Sequence, residues 1–111
     1  MGGLISAIAL IEHPDVFDAA ICMSPAFSYR DFSYPEQLEG REWPENVGPL
    51  WIDNGTVGLE AQLQAGVDEM VEYLNAQSAT FAFQVHPEGR HFEKDWGERF
   101  GKAFRWVQQH R

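Results

Sequence analysis

The residues able to do acid–base or nucleophilic chemistry are few enough to take one at a time. There are four histidines and one cysteine among 111 residues. His91 sits in a loop signal, Pro87-Glu88-Gly89-Arg90, between a strand pattern and a helix pattern. A ring at that place can be presented to a substrate as a general base, or can be a plain loop histidine beside a helix start. His86 closes the strand pattern and reads as a partly buried polar residue. His13 and His110 fall at helix ends, where the C-terminal dipole suits an imidazole. The spacing His86-x4-His91-x-Glu93 is not one used by metal sites, so neither a metal nor another cofactor is expected. Cys22 lies inside an apolar run and reads as a packed, inert thiol.

These residues are positioned by alternating helix and strand signals. Residues 3–13 are apolar on nearly every side, the pattern of a helix buried all round, and Pro14 ends it. Residues 19–23 form a short unbroken apolar run, as in a strand covered on both faces of a parallel sheet. Residues 24–48, rich in Pro, Ser, Tyr, Glu and Gly, read as a long irregular connection of the kind that is functional or mobile. Leu50-Trp51-Ile52-Asp53 is a second strand, closed by the turn signal Asn54-Gly55-Thr56. Leu63, Val67, Met70, Val71 and Leu74 then make one stripe of an amphipathic helix. Phe81, Phe83 and Val85 alternate with Ala82 and Gln84 as a third strand. In a last helix over about 92–109, Phe92, Trp96, Phe100, Ala103, Phe104, Trp106 and Val107 share one side, opposite Lys94, Glu98, Lys102 and Arg105.

The order helix, strand, loop, strand, helix, strand, helix is half of a wound α/β sheet, in a single partial domain over 1–111. Three mostly parallel strands with about three helices leave the sheet incomplete, with edges open to a further strand or to self-association. The expectation is that the missing part precedes Met1.

Eight basic against seventeen acidic residues give a net charge of −9, which argues against nucleic acid and against anionic membrane surfaces. The apolar start has no basic segment before it and is too short to span a bilayer. One cysteine allows no internal disulfide and suits a reducing compartment, so the cytoplasm is favoured.

Met1-Gly2-Gly3-Leu4-Ile5-Ser6-Ala7, His13-Pro14-Asp15-Val16-Phe17, Met23-Ser24-Pro25-Ala26-Phe27, Asp53-Asn54-Gly55-Thr56 and Gly89-Arg90-His91-Phe92-Glu93 with Trp96 together resemble the esterase family of α/β hydrolases that includes esterase D and the enterochelin esterases. The similarity runs along the whole chain and corresponds to the C-terminal half or so of such a domain. In that family Met-Gly-Gly directly follows the nucleophilic serine of a G-x-S-M-G-G elbow. The resemblance therefore implies a serine just ahead of Met1, with Met1 itself at the oxyanion-hole position. It implies that His91 is the general base of a triad.

For the triad acid the family pattern points about three residues past the glycine that ends the penultimate core strand. That position is Gly58, which has no carboxylate. Glu60, two residues on, and Asp53 are the two candidates. Each also has a bland reading, Glu60 as a dipole partner in a first helical turn and Asp53 as a turn cap. Ser6 and Ser24 stand outside any G-x-S-x-G context and read as structural, though Ser24 could face a site from its strand terminus. Phe27 and Trp43, with Tyr29, Phe32 and Tyr34, could line a substrate pocket or pin the 24–48 segment to the core.

The chain is accordingly expected to be part of a serine carboxylic-ester hydrolase acting on a small-molecule ester, inactive alone for want of its nucleophile. The alternative is a non-catalytic interaction module derived from a truncated hydrolase fold. An unrelated small acidic α/β domain comes last.

Overall fold

The computed structural model describes residues 2–91 and 93–111. The expectations that fall on Met1 and Phe92 lie outside the described residues. Three strands, β1 (Ala20–Met23), β4 (Leu50–Gly55) and β5 (Phe81–His86), form a parallel sheet in the order β1-β4-β5. Two further strands, β2 (Ser28–Tyr29) and β3 (Phe32–Ser33), make a separate antiparallel hairpin. The helices are α1 (Gly2–Glu12), α2 (Tyr34–Leu38), α3 (Leu59–Asn75) and α4 (Glu93–His110). The architecture is thus mixed α/β around a parallel sheet.

Alternation along the strands divides the core into two layers. Cys22, Leu50, Ile52, Phe81 and Phe83 face one side of the sheet, where Leu4, Ala7 and Leu10 of α1 and Val67, Met70 and Leu74 of α3 cover them. Ile21, Trp51 and Ala82 face the other side, against Ala103, Trp106 and Val107 of α4. β4, in the middle and covered on both faces, is buried at every position, including its polar residues Asp53 and Asn54. The register pairs Gly55 with His86, so β4 and β5 finish level, while β1 ends two residues earlier at Met23, opposite Asp53. Among the described residues β1 and β5 each pair with β4 alone, and their outer edges carry no strand.

Four expectations need correction. The 24–48 segment is not irregular throughout. It holds the β2–β3 hairpin and α2, which Ser33 caps by accepting from Glu36 N. β4 continues through Asn54 and Gly55 instead of turning there, because Gly55 stays in register with His86. α1 is not enclosed on every side: Leu4, Ala7, Leu10 and Ile11 are buried, whereas Ile5 is 58 % exposed. The buried stripe of α4 is Arg99, Ala103 and Val107, while Phe100 and Phe104 are nearly half exposed and stack on one another at 5.8 Å.

Candidate functional site

At the carboxyl ends of parallel strands the chain leaves the sheet, and side chains from several strands converge. Four segments meet there: Ser24 after β1, Asp53 and Gly55 at the end of β4, the turn into α3, and the loop between β5 and α4. The close approach depends on two glycines. A Cβ at Gly55 would run into the Gly89 carbonyl, which accepts from Thr56 N (3.1 Å) and Val57 N (3.2 Å) and so ties the His91 loop to β4. Gly58 has φ +65°, a left-handed conformation that turns the chain sharply into α3.

That turn delivers Glu60 to the interior. Its side chain is fully buried at the first turn of α3, where unpaired helix N–H groups favour a negative charge. A buried carboxylate is tolerated only when its lone pairs are met. Glu60 Oε1 accepts from Ser24 Oγ and from Gly55 N (3.2 Å), with Arg99 Nη2 at 3.5 Å. Glu60 Oε2 lies 3.0 Å from His91 Nδ1. A carboxylate can only accept, so Nδ1 carries the proton of that bond and Nε2 is left to the opposite edge of the ring.

His91 is held from a second direction by Trp96, whose ring meets the imidazole edge-on at 4.9 Å. The Trp96 indole N–H donates to Ser24 Oγ at 2.9 Å, and Arg99 Nη2 donates to the same oxygen at 2.9 Å. Ser24 therefore spends its whole hydroxyl: one proton given to Glu60, two lone pairs taken by α4. The residue is 1 % exposed and has φ +53°, so its strained backbone is dictated by this junction. Ser24 is a tie between β1, α3 and α4 and presents no surface to a substrate.

Asp53, the other candidate acid, looks elsewhere. It accepts from Trp51 Nε1 (2.9 Å) and lies 3.7 Å from Arg99 and 3.8 Å from His86. Burial raises its proton affinity above that of a free aspartate, against the Trp51 hydrogen bond and the Arg99 and His86 charges; the Glu60 charge adds to the rise. Burial pushes the His86 ring the other way, below a free imidazole; Asp53 opposes this, and Arg99 and Lys102 add to it. Asn54 completes the frame, its amide donating to Glu60 O and Gln64 Oε1 at 2.9 Å each.

A cavity of about 290 Å³ opens in front of His91. Gly2, Gly3 and Ser6 of α1 form one wall, Ile21 and Met23 of β1 the floor, and Trp96 and Phe100 of α4 the other wall. The N-terminal end of α1 and the imidazole thus share one apolar pocket. A Cβ at Gly3 would press on Pro25 at 3.0 Å, so the helix start is packed hard against the end of β1. Ser6, in the pocket wall, donates its hydroxyl back to Gly2 O at 2.8 Å.

The remaining pocket candidates are placed away from this cavity. Phe27 is enclosed completely in the core and pins the segment that follows β1. Trp43 packs on Tyr73 at 6.1 Å, thirteen residues along α3 from Glu60, or about 20 Å at 1.5 Å per residue. Neither lines the cavity. Arg99 is the residue that sequence reasoning passed over. Its signal was a cation inside an apolar stripe, three residues after Trp96 and four before Ala103. Among the described residues no group of three or more His, Cys, Asp or Glu is placed to hold a metal ion. No described helix is long and apolar enough to cross a membrane. Set against protein-family models, curated proteins and solved structures, the chain matches none.

Proposed function

We propose that this chain carries the acid and base of a serine carboxylic-ester hydrolase of α/β-hydrolase type, with His91 as general base and Glu60 as the acid that orients it. The observation that supports this most is the 3.0 Å contact between His91 Nδ1 and the buried Glu60 carboxylate, on a ring that borders the α1 cavity. In this reading an attacking hydroxyl arrives beside the start of α1 and gives its proton to His91 Nε2. The resulting alkoxide adds to the ester carbonyl, and the imidazolium returns the proton to the leaving alcohol. Water then repeats the sequence on the acyl-enzyme. The helix N-terminus stabilises the negative charge that develops on the carbonyl oxygen. Ser24 and Ser6 are not the nucleophile, since both hydroxyls are committed to other partners. In this reading the hydroxyl is that of the elbow serine which the resemblance of Met1-Gly2-Gly3 to G-x-S-M-G-G implies. Ile21, Met23, Trp96 and Phe100 suit an ester with an apolar group.

Hydrolysis of a nitrophenyl ester tests this. The 111 residues alone are expected to give no rate above their His91→Ala variant. The chain extended at its N-terminus by a strand ending in Gly-x-Ser is expected to turn over, with a loss of about 10⁶-fold on His91→Ala. Turnover of the extended chain that survives His91→Ala contradicts the assignment.

A second reading, an interaction module that associates through the β1 edge, is favoured by one feature. β1 carries no charged residue and lies alongside the exposed ring of Phe100. Gel filtration at rising concentration separates the two: a monomer throughout counts against it.

A further inference from the structure

Arg99 enters the site from α4 with its side chain 5 % exposed. A single nitrogen, Nη2, donates to Ser24 Oγ at 2.9 Å and stands 3.5 Å from Glu60 Oε1 and 3.7 Å from Asp53 Oδ1. One cation therefore sits between two fully buried carboxylates that approach from different ends of the β4–α3 turn. With both carboxylates ionised, the single Arg99 cation leaves this enclosure with one uncompensated negative charge while His91 is neutral. His86 and Lys102 stand on the Asp53 side, so they do not serve Glu60 in the same way.

We infer that Arg99 is a positioning residue for the proposed reaction: by bridging Asp53, Glu60 and Ser24 it fixes the Glu60 carboxylate on His91 Nδ1. The inference rests on the reading of His91 as the base. Without the guanidinium, two carboxylates within reach of one another repel, and Ser24 loses a donor that holds its hydroxyl aimed at Glu60. The two hydrogens of Nη2 go to Ser24 Oγ and toward Glu60 Oε1, and Asp53 Oδ1 at 3.7 Å is held by charge alone.

Two nuclear magnetic resonance readouts test this without any ester, so they can fail independently of the esterase reading. In the wild-type chain the Arg99 guanidinium is expected to rotate slowly and show separate Nη signals, which merge in Glu60→Gln. Free rotation in the wild type overturns the inference. The His91 Nδ1–H signal of the bond to Glu60 is expected to disappear in Arg99→Met and to persist in Arg99→Lys, which keeps the cation. Persistence in a folded Arg99→Met also overturns it, while leaving the Glu60–His91 pair intact. If Arg99→Met does not fold, the guanidinium rotation decides.

Discussion

Glu60 and His91, thirty-one residues apart in the chain, meet at 3.0 Å because the β4–α3 turn and the β5–α4 loop are fastened to each other. The fastening is the Gly89 carbonyl, which takes two N–H groups from residues just past β4. The acid and the imidazole are therefore parts of one rigid corner of the fold, not side chains that find one another across a mobile gap.

Glu60 stabilises that corner as well as orienting the ring. Glu60→Gln leaves Arg99 beside a neutral amide and turns one carboxylate oxygen into an N–H donor, so either Ser24 and Gly55 N or His91 Nδ1 loses its acceptor. Loss of one member of a buried charged network costs about 3–5 kcal/mol. A shift of the denaturant midpoint at unchanged slope is the expected result.

Ser24 offers a cleaner separation of backbone from side chain. Ser24→Ala and Ser24→Gly both delete the hydroxyl, but only alanine must keep a side chain at φ +53°. The glycine variant is expected to be more stable than the alanine variant by about 1 kcal/mol. Equal stability of the two means the left-handed conformation is absent in solution.

Gly55→Ala tests the fastening itself. Its Cβ would meet the Gly89 carbonyl, so either β4 or the His91 loop has to move. A cost of about 1–3 kcal/mol is expected, together with changed chemical shifts at His91. An unperturbed His91 in this variant would show that the loop is held by something other than β4.

Acid stability reports on His86. Its folded-state proton affinity is lowered, so the unfolded chain binds the proton better. Stability from this residue is complete above the free-imidazole range near 6.5 and is lost as pH falls through the lower folded value. Asp53, whose proton affinity is raised, has the opposite slope: its contribution is present at low pH and is lost as pH rises through its folded value. His86→Gln is expected to flatten the decline of stability just below pH 6.5 measured by urea titration at each pH. An unchanged profile counts against burial as the cause.

The parallel sheet and the stripe of α3 were legible from simple patterns: an unbroken apolar run over 19–23, alternation over 81–85, and Leu63, Val67, Met70 and Leu74 at helical spacing for a one-sided helix. The place of His91 in a loop between the third strand and the last helix was legible from Pro87-Glu88-Gly89-Arg90. Which of Glu60 and Asp53 lies beside His91 was not, since both are carboxylates near the end of the same strand. Their fates are set by Gly58, which turns one toward His91, and by Trp51, which engages the other. Arg99 was hidden for a different reason. An arginine at a core-facing helical position looks like noise until the buried acids it serves come from distant segments. The α4 face was misjudged because Phe100 and Phe104 are apolar yet lie outside the layer that contacts the sheet.

The most direct test is the protonation pattern of the His91 ring, read by long-range proton–nitrogen correlation at a pH where the imidazole is neutral. The account requires hydrogen on Nδ1, bonded to Glu60, and a bare Nε2 able to take a proton from a hydroxyl in the α1 cavity. A neutral ring that carries its hydrogen on Nε2 would contradict it.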